Sequence, residues 1–216
     1  MAVQLAGKTI LIDTTPELRL QCLANDIRRV DAVLFTHHHA DHIVGLDDLR
    51  RFTDLQDQAL PCYGMPETLD HVASMFPYAV RDDPDYPSSK PRLELRPIDG
   101  PFELFGQRIV PVPLWHGSMK VLGFRLDRLA YCTDCSAIPP ESLRLLEGLD
   151  VLVLDALRRR PHPTHFNLDQ AVEMARRIGA KRTYFTHIAH ELAHAETNAA
   201  LPAHQQLAYD GQVVCV

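Results

Sequence analysis

The sequence lacks most of the features that mark membrane, secreted and nucleic-acid-binding proteins. Its 216 residues contain no run of about 18 apolar residues, so no transmembrane helix is predicted. The start, MAVQLAGKTILID, has no basic head followed by a long apolar stretch, which argues against a secretory signal. A formal charge of −6 argues against an extended nucleic-acid footprint. Five scattered cysteines, an odd number, predict free thiols in a reducing cytoplasm.

The sequence does contain an alternation of short apolar runs and helical stretches, which is typical of an α/β protein. The length fits a single domain over residues 1–216. Strands are predicted at 9–13, 32–36, 108–114, 121–126, 129–133, 151–155 and 182–186. Helices are predicted at 66–76, 139–147 and 167–178, and an exposed loop at 81–91. The last helix has a capping-box start at Asn167 and Gln170 and a stop at Gly179.

The stretch FTHHHADHIVGL contains four of the 12 histidines. The spacing H-x-H-x-D-H selects His37, His39, Asp41 and His42. In an extended backbone residues two apart point the same way, so His37 and His39 can bind one cation. Imidazole nitrogen and carboxylate oxygen are ligands of zinc, or of iron or manganese where more oxygen is supplied. The alternatives are a mononuclear site and adventitious binding of nickel or zinc.

Polar residues also follow several of the predicted strands. The positions at or just beyond a strand's C-terminal end are Asp13, His37, Asp134, Asp155 and His187. Polar groups gathered at strand ends are typical of an α/β active site. The sequence therefore predicts a site at the strand ends.

The H-x-H-x-D-H motif after a strand, with later His and Asp residues in order, resembles the metallo-β-lactamase superfamily. The resemblance extends from ILIDT over nearly the whole chain. It implies an αββα sandwich with a dinuclear metal site on one edge. It further implies two divalent ions, either Zn²⁺ or alternatively Mn²⁺ or Fe²⁺.

The same resemblance implies a role for each site residue. One metal would be bound by His37, His39 and His116. The other would be bound by Asp41, His42 and His187. Asp134 would bridge the two metals, and Asp13 would orient a ligand or loop without touching metal.

A closer resemblance is to the branch that contains the cyclic-phosphate phosphodiesterase of bacterial phosphonate degradation. The motifs that carry it include LIDTTPELRLQ, GLDDLRRF, TDCSAIP and TYFTHIAHE. It implies that His165, in PTHFNL, binds the substrate phosphate or protonates the leaving oxygen. The other reading of His165 is a surface histidine beside a helix cap. The residues expected to carry the chemistry are Asp134, His165 and Asp41.

The chain departs from that branch at its start. It lacks the usual N-terminal strand and the cysteine cluster that, with a histidine at the position of His190, holds a structural zinc. We therefore expect that the protein binds no structural zinc and that His190 packs near the site. A missing first strand is expected to leave an exposed sheet edge, which favours a homodimer or marginal stability. The spacing of Cys132 and Cys135 is not expected to serve redox or zinc binding, because no second pair follows.

Other histidines and a basic run are interpreted as lying outside the ligand set. His71, His162, His194 and His204 read as surface or helix residues, and His38 as a non-ligand beside the site. The run LRRRPHP (157–163) either faces an anionic substrate or is a solvated loop.

The function that this resemblance implies is a dinuclear metal-dependent hydrolase. We expect a phosphodiesterase that acts on small or cyclic phosphodiesters through a metal-bridging hydroxide. A small anionic substrate fits the excess positive charge of two metals over two carboxylates. The alternatives are a lactonase or lactamase-type carbonyl hydrolase, an RNA-processing phosphodiesterase, and a degenerate non-enzymatic metal-binding domain.

Overall fold

The computed structural model of the protein describes residues 1–81, 83 and 85–216. The contacts divide the chain into two compact units, Met1–Asp99 and Gly100–Val216. The single domain expected over 1–216 therefore stays a prediction. Within the described residues, no helix is both long enough and apolar enough to cross a membrane.

The first unit contains a mixed sheet in the order β1-β2-β3-β4-β5. Its strands are β1 (Ala2–Leu5), β2 (Lys8–Ile12), β3 (Ala32–Leu34), β4 (Leu60–Gly64) and β5 (Leu93–Pro97). Its helices are α1 (Leu18–Ala24), α2 (Ala40–Ile43), a 3₁₀ helix (Val44–Leu49), α3 (Arg50–Gln56), α4 (Pro66–Met75) and α5 (Pro77–Val80). The pairs from β2 to β5 are parallel and β1 pairs antiparallel with β2. Among the described residues a short strand, β1, thus precedes the strand predicted at 9–13 and forms the edge of the sheet.

The second unit contains a mixed sheet in the order β12-β11-β10-β9-β8-β7-β6. Its strands are β6 (Phe102–Leu104), β7 (Gln107–His116), β8 (Met119–Leu126), β9 (Leu129–Cys132), β10 (Val151–Asp155), β11 (Arg182–Thr186) and β12 (Gln205–Leu207). Its helices are α6 (Pro140–Leu145), α7 (Leu168–Ile178) and α8 (His194–Ala200). The strands from β6 to β9 pair antiparallel and those from β9 to β12 pair parallel.

The predicted elements are confirmed to within a few residues at their ends. The capping box of α7 is present, since Asn167 Oδ1 accepts from Gln170 N at 2.9 Å and Gln170 Oε1 accepts from Asn167 N at 3.0 Å. Gly179 ends the helix with φ of 71°. The loop predicted at 81–91 includes Asp82 and Pro84, which lie outside the described residues.

Parallel strands bring their C-terminal ends to one edge of each sheet. In the first unit Asp13 follows β2, and its N–H donates to the carbonyl of Leu34 on β3 at 2.9 Å. In the second unit Asp155 ends β10, while Asp134 and His187 come just after β9 and β11. The expected polar strand ends are thus assembled separately within each unit.

Candidate metal centre

The first unit gathers the four residues of the motif into what we call the amino-terminal donor set: His37, His39, Asp41 and His42. The His37 ring lies 4.6 Å from the His39 ring and 4.2 Å from the His42 ring, measured between centroids. His37 and His42 are buried, whereas His39 and Asp41 are exposed. The set therefore has a fixed inner side and an accessible outer side.

A buried aspartate orients the two buried histidines of this set. Asp13 Oδ2 lies 2.8 Å from His42 Nδ1 and also accepts from the Thr36 hydroxyl at 2.8 Å. Thr36 Oγ1 in turn lies 2.9 Å from His37 Nδ1. Because the hydroxyl proton goes to Asp13, Thr36 Oγ1 accepts from His37 Nδ1–H. Both histidines then carry their proton on Nδ1 and present the Nε2 lone pair, as a metal ligand requires.

The second unit gathers the carboxy-terminal donor set, which comprises His116, Asp134, His165 and His187. Its His165 ring lies 4.5 Å from the His116 ring and stacks on the His187 ring at 4.8 Å, with 17° between the planes. His116, Asp134 and His165 are buried and His187 is partly exposed. His116 Nδ1 lies 2.7 Å from the Thr164 carbonyl, to which it donates, and Nε2 is the nitrogen left for a metal.

Asp155 is the aspartate behind this second set. Its Oδ1 lies 3.2 Å from His165 Nδ1 and 3.9 Å from His187 Nδ1, and its Oδ2 accepts from Phe166 N at 3.1 Å. Ligand-type atoms of Asp134, Asp155, His165 and His187 all lie within 4.8 Å of one another. Burial raises the pKa of the Asp155 carboxyl, and the hydrogen bond with His165 opposes that rise.

The spacing of donor atoms in both sets fits a divalent transition metal. Bonds of about 2.0–2.1 Å in a tetrahedron place two donor atoms about 3.3 Å apart. His42 Nε2 lies 3.4 Å from Asp41 Oδ2, and His187 Nε2 lies 3.4 Å from Asp134 Oδ1. His165 Nε2 is 4.0 Å from Asp134 Oδ2, longer than that edge. The spacing therefore supports His187, rather than His165, as the ligand beside Asp134.

Three of these residues have a left-handed backbone. Asp13, Asp134 and His187 have φ values of 63°, 51° and 58°. Asp, Asn and His are the non-glycine residues most often found in this region, which is strained for L-amino acids. Each comes one or two residues after the end of a strand, so the left-handed turn redirects the side chain where the strand stops.

Other histidines lie at different distances from the donor sets. His162 is half-buried, and its ring lies 5.1 Å from the His165 ring, so it is beside a site residue. Burial, and next the positive charge of His165, lower the pKa of His162. His190 is exposed on the loop after β11, and its expected place near the site stays a prediction. His38 stacks on His71 with 3.9 Å between centroids.

The sequence alone indicates no individual role for Asp155, Thr36 or Thr164. For Asp155 a signal existed, because it ends the apolar strand VLVLD at the same edge as Asp134 and His187. The two threonines act through hydrogen bonds that no spacing indicates. The cysteines are free, and burial raises the pKa of Cys132 to about 12, which makes its thiol unreactive.

Comparison with known proteins identifies the family and the fold. A family model described as a beta-lactamase superfamily domain matches residues 8–188. A crystal structure of a diphosphatase from the PhnP family covers 98% of this chain and 81% of its own, with a TM-score of 0.90 and 44% identity.

Two curated proteins share part of their length with the chain. An octanoyltransferase of Porphyromonas gingivalis is 36% identical over 210 residues, which are 95% of this chain and 42% of that protein. A ribonuclease Z of a Bradyrhizobium species is 35% identical over 80 residues, 35% of this chain and 27% of that protein. The chain thus spans less than half the length of either curated relative. Because the family model matches most of the chain, the chain belongs to the metallo-β-lactamase superfamily and shares the fold of its metal-dependent hydrolases.

Proposed function

We propose that the protein is a dinuclear metal-dependent phosphodiesterase of the cytoplasm that hydrolyses small or cyclic phosphodiesters. The similarity to a PhnP-family diphosphatase at 44% identity supports a substrate with phosphate groups and adds diphosphates to the proposed substrates. The donor chemistry of imidazole and carboxylate supports zinc, with manganese or iron as alternatives.

The proposed assignment of ligands to the two ions follows the superfamily resemblance and not the grouping into the two donor sets. His37, His39 and His116 would hold one ion, and Asp41, His42 and His187 the other, with Asp134 shared. When bound, the two ions supply positive charge that favours an anionic substrate and make water a nucleophile at neutral pH. Asp13 fixes the Nδ1–H tautomer of His42 directly and that of His37 through Thr36. Their Nε2 atoms therefore already present a lone pair to a metal.

The pairing of His165 with buried Asp155 is the observation that carries the phosphodiesterase proposal. The Asp155 carboxylate, 3.2 Å from His165 Nδ1, directs a proton to that nitrogen and stabilises the imidazolium form. In that form Nε2–H, 4.0 Å from Asp134 Oδ2, can give its proton to the oxygen that leaves phosphorus. A phosphodiester with a poor leaving group needs such an acid.

The experiment that tests the proposal measures metal content per chain together with hydrolysis of bis(p-nitrophenyl) phosphate. The variant is Asp134→Asn, because asparagine also tolerates the left-handed backbone at this position. The matched control is Asp210→Asn, an exposed aspartate of the same unit. We expect about two metals per chain in wild type and control, and loss of metal and activity in Asp134→Asn.

Other results would contradict the proposal in different ways. Two metals per chain without phosphodiester turnover would exclude the phosphodiesterase and favour ester, thioester, lactone or lactam substrates. Protein that cannot be loaded with metal would exclude the hydrolase altogether and favour the degenerate metal-binding domain.

RNA is the second candidate substrate, because 80 residues match a ribonuclease Z. The chemistry at phosphorus would be the same, but the charge of −6 argues against an extended RNA footprint. End-labelled RNA with an extended 3′ end separates the two candidates. Cleavage of that RNA at a rate above that for small phosphodiesters would favour the RNA-processing function.

A further inference from the structure

The segment between β10 and α7 is a basic loop that makes several hydrogen bonds and an ion pair. Leu157 N donates to the Phe166 carbonyl at 3.0 Å, and Leu168 N donates to the Arg158 carbonyl at 2.9 Å. The Arg160 guanidinium forms a bidentate pair with Glu191 at 2.6 and 3.1 Å. The loop that carries His162 and His165 is therefore ordered by its own contacts.

Packing against the end of β7 fixes the part of this loop that contains Thr164. The Thr164 carbonyl lies 2.7 Å from His116 Nδ1 and accepts its proton. A Cβ atom on Gly117 would lie 2.8 Å from the Thr164 methyl group, so this side chain packs closely against Gly117. These contacts hold Thr164 in place relative to β7, and Thr164 in turn positions the side chains next to it.

The same threonine determines the protonation of His162. Thr164 N lies 3.3 Å from His162 Nδ1 and its hydroxyl oxygen lies 3.2 Å from that nitrogen. A backbone N–H can only donate, so Nδ1 accepts and the proton of the neutral ring is on Nε2. His162 is therefore a hydrogen-bond donor at Nε2 while it is uncharged.

The Nδ1 atoms of His162 and His165 thus have opposite hydrogen-bonding roles in adjacent rings. His165 donates from Nδ1 to Asp155, whereas His162 accepts at Nδ1 from Thr164. Their centroids lie 5.1 Å apart and the planes are tilted by 54°. A neutral, fixed N–H donor beside a proton-transferring histidine is suited to bind an oxygen of the same anionic group.

We propose that His162 is a substrate-binding residue, whose Nε2–H donates a hydrogen bond to a phosphate oxygen of the ester that His165 protonates. This inference rests on the proposed phosphodiesterase function. His162 contributes binding and orientation, while the proton transfer stays with His165. The phosphate oxygen could belong to the reacting group or to a second phosphate of a diphosphate.

The test uses two substitutions that separate the two ring nitrogens. His162→Asn keeps an acceptor near the Nδ1 position for Thr164 N and removes the distal donor. His162→Gln extends an amide N–H to the distal position. His204→Asn is the control, because His204 is an exposed histidine of the same unit.

Kinetics with bis(p-nitrophenyl) phosphate and inhibition by inorganic phosphate give the first readout. We expect His162→Asn to raise KM and the phosphate inhibition constant by about tenfold, as expected for loss of a hydrogen bond to a charged group. The kcat should change by less than about threefold, and His162→Gln should recover part of the loss. Wild-type constants in His162→Asn, with losses only in His162→Gln, would show a structural role and overturn the inference.

Nitrogen-15 NMR of histidine side chains gives a readout independent of turnover. The His162 signals, identified by their loss in His162→Asn, should show Nε2–H and unprotonated Nδ1, and should shift saturably with inorganic phosphate on the metal-loaded protein. The Nδ1–H tautomer, or a spectrum that phosphate does not move, would overturn the inference. If wild type hydrolyses no phosphodiester, the proposed function fails, and the phosphate titration alone decides the role of His162.

Discussion

The two donor sets are built on the same plan from very different stretches of chain. The amino-terminal set takes its four donors from six consecutive residues, while the carboxy-terminal set takes them from segments as far apart as His116 and His187. Behind each set lies a buried aspartate that follows or ends a parallel strand: Asp13 in the first unit and Asp155 in the second. Each set also contains one donor pair at 3.4 Å.

The difference between the sets lies in how firmly those aspartates hold the histidines. Asp13 makes contacts of 2.8 Å to His42 Nδ1 and to Thr36, which links it to His37. Asp155 lies 3.2 Å from His165 Nδ1 and 3.9 Å from His187 Nδ1, and the second distance exceeds a hydrogen bond. The first unit thus fixes its proposed metal-binding histidines through one carboxylate, whereas the second directs its carboxylate mainly to the proposed acid.

The largest expected effect comes from removing one proposed ligand of each set. His37→Asn and His187→Asn should each lose metal and lower phosphodiester turnover by more than about 100-fold, the upper range for loss of an outer partner. His37 is fully buried, so only His37→Asn should also lower the Tm of the metal-free protein. Metal analysis, turnover and thermal unfolding check this, with His204→Asn as control. Wild-type metal content in either variant would contradict its ligand role.

Replacing the two aspartates sharpens the comparison. Asp13→Asn should weaken metal affinity by about 10–100-fold, because an amide offers hydrogens where His42 and Thr36 need an acceptor. Asp155→Asn should change metal affinity less and slow the hydrolysis of alkyl phosphodiesters more than that of p-nitrophenyl esters. Chelator competition and a leaving-group series measure the two effects. A larger loss of metal affinity in Asp155→Asn than in Asp13→Asn would contradict this difference between the two aspartates.

The glycines beside the two sets differ in how tightly they are enclosed. A Cβ atom on Gly45 would lie 1.9 Å from the Thr15 carbonyl oxygen, so Gly45→Ala requires a backbone shift and should cost about 3 kcal/mol. Gly117→Ala meets only a movable threonine methyl but has φ of +63°, which should cost about 1–2 kcal/mol. Urea unfolding of the metal-free variants checks the order. A Gly117→Ala variant less stable than Gly45→Ala would refute it.

The smallest effect concerns the helix starts. Asn167→Ala removes the capping box of α7 and should cost about 1 kcal/mol. Glu17→Ala at the start of α1, where the side chain makes no capping bond, should change stability by less than about 0.5 kcal/mol. Urea unfolding measures the free energy of unfolding of both variants. Equal losses of that free energy would show that the Asn167 cap does not stabilise the protein.

The sequence predicts the strands that are apolar throughout and misses those that are short or carry polar or breaking residues. The run at 151–155 is predicted to the residue, because burial on both faces leaves an unbroken apolar pattern. Leu60–Gly64 is missed, because Pro61 and Gly64 argue against a strand. Leu93–Pro97 alternates with charged residues and is short.

At the site, the sequence indicates donor types and order but not hydrogen-bond geometry. The tautomer of His37 depends on the Thr36 hydroxyl, and that of His162 on the backbone N–H of Thr164. Both arise from turns whose course depends on tertiary packing. The sequence therefore places Asp155 at a strand end but gives neither it nor His162 a role, although both lie beside His165.

The left-handed backbone at Asp13, Asp134 and His187 has a consequence for how this chain can evolve. Asparagine is the replacement that suits that backbone while removing a carboxylate or an imidazole. In the genetic code both aspartate and histidine change to asparagine through a single nucleotide. At Asp134 and His187, the two proposed metal ligands among them, a folded descendant without the proposed metal site therefore lies one point mutation away, and no change of the backbone is needed to reach it.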